Sequence, residues 1–127
     1  MGVGRAWVTS PAGPDRFRQA EAAWREAMDG ARIDRGGADS PGFGPVLMGA
    51  LGFTGRVPAI DDPWGPFGAS SLVLPELLLA VTPDGAFLSG SLPGPVAPAD
   101  VRTLERRWER LATRARALAP NPNGMVA

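Results

Sequence analysis

Arginine and the two carboxylic acids supply all the charge in this chain. It has 13 basic residues, every one an arginine, against 13 acids, and it has no histidine, cysteine or tyrosine. A histidine base, a cysteine nucleophile, a lysine Schiff base and a tyrosine acid are therefore excluded. Asp61-Asp62 is the one adjacent acid pair, and paired carboxylates suit a hard cation. Neighbouring residues of an extended loop point apart, however, and Pro63 stiffens the exit, so the pair reads as a solvated loop. Glu76 is the lone acid of a long apolar run, and Asp84 belongs to a turn. None of these positions composes a catalytic, cofactor-binding or metal site.

The arginines are unevenly placed. Residues 41–96 carry Arg56 alone against Asp61, Asp62, Glu76 and Asp84. Residues 97–127 carry six arginines against three acids. Arg102, Arg106, Arg107, Arg110, Arg114 and Arg116 cover much of one helix. An arginine-rich helix suits an anionic partner. Here Glu105 and Glu109 interrupt it, with Arg102 and Arg106 three residues back as partners. No aromatic interleaves the arginines to stack on bases, since Trp108 lies on the apolar stripe. With a net charge of zero, neither nucleic acid nor membrane is the expected partner. The apolar runs fall short of the roughly 20 residues that span a bilayer, and the N-terminus lacks the pattern of a signal peptide. The expected location is cytoplasmic.

The elements that position these residues read as follows. Leu72–Val81 is an apolar run that reads as a strand buried on both faces. Pro75 cannot donate to a ladder, so there the strand is an edge, carries a bulge or is two pieces. Thr82-Pro83-Asp84-Gly85 reads as a β-turn, and Ala86–Leu92 returns as the second strand of a hairpin. Pro45–Phe53 reads as a strand in which Gly49 and Gly52 mark close backbone approach or a bulge. Ala6-Trp7-Val8 reads as a strand end with little before it to pair.

Two helices are expected. Asp15–Ala31 places Phe17, Ala20, Trp24, Ala27, Met28 and Ala31 on one stripe, with Glu21 and Arg25 an i,i+4 pair. Pro98–Leu118 starts with Pro98 and Asp100 in its first turn and carries the stripe Val101, Leu104, Trp108, Leu111, Ala115 and Leu118. Between the elements lie Gly/Pro-rich connectors at Arg32–Gly44 and Ile60–Gly68. Gly36-Gly37 lacks the strand, helix and lysine of a phosphate loop. The fold class is α+β, a mixed or antiparallel sheet with two amphipathic helices. Residues 1–118 form the domain, and 119–127 a tail or connector.

The order of these features resembles the isochorismate synthases, within the larger family of chorismate-utilising enzymes. The wording that carries the likeness is a helix with an internal Trp24, the Gly-rich strand up to Gly52-Phe53, Trp64-x-x-Phe67, Leu74-Pro75-Glu76-Leu77-Leu78-Leu79, the hairpin and the arginine-rich helix. It runs from about Phe17 to Leu118 and corresponds to an N-terminal segment of the family's fold. After Phe53 the chain departs from the family's Phe-Asp-Pro, continuing Thr54-Gly55-Arg56.

The resemblance implies, for the full-length family, conversion of chorismate to isochorismate in menaquinone or siderophore biosynthesis, with Mg²⁺ as cofactor there and no cofactor held by this chain. Water adds at one ring carbon and hydroxyl leaves another. In the family a lysine activates the water, a glutamate serves as acid and further glutamates hold the metal. This chain has no lysine, and no catalytic residue carries over onto any of its positions. It therefore reads as an N-terminal fragment that is not catalytic alone, with a separate or missing catalytic portion as partner. The alternative is a stand-alone domain that binds a protein partner through the arginine-rich helix, or an anion through Arg56 or the helix arginines.

Overall fold

The computed structural model describes residues 1–34, 44–82 and 85–118. The Gly36-Gly37 connector, the turn centre Pro83-Asp84 and the 119–127 tail lie outside these. The chain divides into two units, Met1–Pro93 and Gly94–Ala127.

The first unit contains β1 (Gly2–Val3), β2 (Trp7–Thr9), α1 (Arg16–Met28), β3 (Met48–Leu51), a 3-10 turn (Gly65–Phe67), β4 (Ser70–Leu74), β5 (Leu77–Thr82) and β6 (Gly85–Gly90). All strand pairs are antiparallel. They form two three-stranded sheets, β1-β5-β6 and β2-β4-β3, where the sequence suggested one.

The apolar run explains the division. Pro75 interrupts it, and Leu72–Val81 is two strands in two sheets rather than one buried on both faces. Leu74, Pro75, Leu77 and Leu78 are buried around the break, whereas Val81 is exposed. The N-terminal segment bends alongside. Val3 pairs with Leu77 in one sheet and Trp7 with Leu74 in the other. The Ala6 N–H donates to the Leu74 carbonyl at 2.8 Å. Gly2–Thr9 and Leu72–Leu78 thus form one antiparallel ribbon, kinked where it passes between sheets. Gly4 makes the kink, with φ +75°. A Cβ there would lie 2.6 Å from Oε2 of Glu76. The residues before Trp7 do find a partner, against the sequence expectation. Met1 joins as well, its ammonium donating to the Leu79 carbonyl at 2.7 Å.

The hairpin is present, with Thr82 opposite Gly85. β3 is shorter than Pro45–Phe53 suggested. Its close approach to β4 is real. A Cβ on Gly49 would lie 1.9 Å from the Ser71 carbonyl oxygen, and one on Gly52 2.3 Å from that of Ala69.

Helix α1 starts and stops inside its expected bounds. Asp15 makes no side-chain cap and pairs with Arg18 instead. Glu21 and Arg25 form the expected pair at 2.7 Å. Trp24 meets Trp7 with ring centroids 6.2 Å apart and planes tilted by 55°, which joins α1 to β2. Phe17, expected on the buried stripe, is 58% exposed.

The second unit is described from Gly94 to Leu118 and holds α2 (Pro98–Leu118). Asp100 reaches back to accept from the Ala97 N–H at 2.9 Å, half of a capping box. Pro98 needs no donor in that turn. On the apolar stripe Leu104 and Leu111 are half-buried, and Val101 and Trp108 are exposed.

Candidate functional site

Among the described residues the acids do not converge. In the loop before the 3-10 turn, Asp62 turns back on its own backbone. Its Oδ1 accepts from the Trp64 N–H at 2.8 Å, while its own N–H donates to the Ala59 carbonyl at 3.0 Å. This is the local turn that a short acid forms. Asp61 beside it is exposed. Glu76 sits half-buried at the kink of the ribbon, its carboxylate against Gly4 and its carbonyl accepting from the Ser91 N–H. Asp84 lies outside the described residues. Among the described residues, no group of three or more acids, histidines or cysteines is placed to hold a metal ion.

The bases divide by burial. Arg56 is exposed, and its backbone N–H donates to Oγ1 of Thr54. On α2, Arg102, Arg106, Arg110 and Arg114 are exposed, and Arg107 is half-buried. Arg106 donates to the Thr103 hydroxyl at 3.2 Å instead of pairing with Glu109. Thr103 in turn donates to the Ala99 carbonyl at 2.9 Å.

Among the described residues, the most buried charge is one that sequence reasoning passed over. Arg16, in the first turn of α1, is only 8% exposed. Its guanidinium donates to three backbone carbonyls: Nε to Gly52 at 2.7 Å, Nη1 to Gly13 at 3.2 Å and Nη2 to Phe53. The Phe17 ring lies against it, 4.5 Å from Cζ to the centroid. The planar fork of arginine suits three fixed acceptors. Gly55 completes the pocket, since a Cβ there would lie 2.5 Å from the Gly13 oxygen and 2.9 Å from Nη1. Arg16 clamps the end of β3 to the start of α1. Its helical neighbours are ordinary, and two of its three acceptors are backbone groups 36 and 37 residues away. No residue type announces such a partner.

The sequence model of the family described as chorismate binding enzyme matches residues 1–124. The chain belongs to the chorismate-binding enzyme family. No curated protein and no solved structure matches it. The family match covers both units of this chorismate-binding family member, from β1 to α2. Mg²⁺, which the resemblance implied, does not fit the described residues. Asp62 is committed to its own loop, and no carboxylate cluster accompanies Asp61. Among the groups that stand exposed are arginines, Arg56 and, on α2, Arg102, Arg106, Arg110 and Arg114. With no histidine, cysteine, tyrosine or lysine in the sequence, acid–base chemistry here has only carboxylates to draw on.

Proposed function

We propose that this chain is the sheet-forming, non-catalytic portion of an isochorismate synthase-type enzyme of menaquinone or siderophore biosynthesis. Its catalysis depends on a portion of the family's fold that these residues do not contain. Membership of the chorismate-binding family supports the substrate class. One observation carries the division of labour: these residues hold no lysine to activate water. The reaction needs a base, an acid and a metal at one ring, and these residues compose none of them.

The test is an assay of the purified chain with chorismate and Mg²⁺, alone and with a separately produced catalytic chain of the family. No isochorismate is expected from the chain alone, and turnover is expected once the two are mixed. Isochorismate formation by this chain alone would overturn the reading.

The exposed arginines of α2 favour a second reading, a carboxylate-binding module for chorismate itself. Calorimetry separates the two. Salt-sensitive binding of chorismate that is lost in Arg102→Ala/Arg106→Ala supports the module. Absence of heat at millimolar chorismate removes it.

A further inference from the structure

We infer that Met48 is an oxidation-sensitive joint between the two sheets, which peroxide converts to a sulfoxide that loosens β1. The chain has four methionines and no cysteine, so methionine sulfur is what a peroxide meets. Met48 opens β3 and stands opposite Val73 in the sheet β2-β4-β3. Its thioether reaches the other sheet. A Cβ on Gly2 would lie 2.9 Å from Sδ of Met48 and 3.0 Å from Cβ of Pro75. Gly2 belongs to β1, opposite Leu78, and Pro75 is the buried residue between β4 and β5. The sulfur and the proline ring therefore fill the space that a glycine leaves, where the ribbon passes between sheets. Met48 is also 39% exposed, which lets a small oxidant reach it. Met1, at 72%, is the open methionine against which its oxidation is compared.

The chemistry is a two-electron oxidation by hydrogen peroxide. A lone pair on Sδ attacks one peroxide oxygen, and the S–O bond forms as the O–O bond breaks. The departing hydroxide takes the proton of the transferred oxygen and leaves as water. Sulfur is oxidised and the peroxide reduced. A thioether packs well on carbon, whereas a sulfoxide is polar. Its oxygen needs a hydrogen-bond donor or water, and the Cα of Gly2 and the ring carbons of Pro75 supply neither. The side chain must turn to solvent, and the two-residue β1 loses that packing.

Mass spectrometry and amide exchange on the full chain in dilute hydrogen peroxide test this. Exchange at Val3 and Leu77, which face each other across β1 and β5, is expected to quicken by about tenfold. The rise follows oxidation of Met48 rather than of Met1. Methionine sulfoxide reductase with a dithiol reductant restores the slow exchange. Met48→Leu keeps the size and apolar character of the side chain, and circular dichroism checks that it folds. It is expected to show no such response while the other three methionines oxidise. A Met48 that resists peroxide throughout overturns the inference. So does oxidation of Met48 with unchanged exchange, or an equal response in Met48→Leu. The time course in the unaltered chain decides the outcome without any variant.

Discussion

Arg16 is where a single side chain does most for this fold. Its charge is held by three carbonyls and an aromatic face, with no carboxylate among those contacts. Replacing it with methionine keeps much of the volume but strips three acceptors of their donor. Each hydrogen bond to a charged group contributes about 1.5–3 kcal/mol, and stranded acceptors add to the loss. Arg16→Met is therefore expected to cost about 3 kcal/mol or more in urea unfolding. Arg16→Lys should recover only part of this, because an ammonium cannot reproduce the planar fork. Full recovery by lysine would show that charge alone matters there. Gly49 makes the opposite point, that an absent side chain can be essential. An added methyl group would meet the Ser71 oxygen at 1.9 Å. Gly49→Ala must push β3 from β4, with an expected loss of about 2 kcal/mol in the same measurement.

At the level of elements, the helices were legible and the sheets only partly so. Helix α2 has its apolar stripe, Pro98 and Asp100 all in one local stretch, and it forms over Pro98–Leu118 as the sequence indicates. The hairpin was equally local, because its two strands are neighbours in the sequence. Pro75 signalled trouble in the apolar run without saying which kind. The choice of two strands in two sheets depends on Gly2–Thr9 lying alongside, a partner more than sixty residues away. Phe17 follows the helical period of the apolar stripe yet is exposed, because Arg16 takes the inward place beside it. Of the candidate site, the Arg16 clamp was not legible, because its acceptors are backbone carbonyls that no residue type marks. The α1–β2 contact gives an element-scale test. Trp24→Ala removes the ring against Trp7 and is expected to cost about 2 kcal/mol, somewhat less than a fully buried tryptophan. It should also reduce the near-ultraviolet dichroism. An unchanged aromatic signal would mean that the two indoles do not pack in solution.

For the molecule as a whole, little is fully enclosed. Among the described residues, Ala20, Ala69, Leu74, Leu77 and Leu78 are buried, as are Pro11 and Pro75, and of these five Ala and Leu side chains only Leu77, at 1%, is sealed off. Trp64 and Phe67 meet at a tilt of 51°, ring centroids 5.7 Å apart, yet both are exposed. An apolar surface of this kind marks a protein that gains by being covered. The chain is expected to bind an apolar dye such as anilinonaphthalene sulfonate when dilute, and its melting temperature should rise with protein concentration. A concentration-independent, sharp melt without dye binding would show that one copy is self-sufficient. The kinked ribbon has a consequence for motion. Leu74 belongs to one sheet, Leu77 and Leu78 to the other, and one bend in the chain joins them. Neither sheet can open without drawing the same few leucines into water. The amides of Val3, Trp7, Leu74 and Leu77 should thus exchange as one cooperative unit, with a shared opening free energy, although they are divided between two sheets.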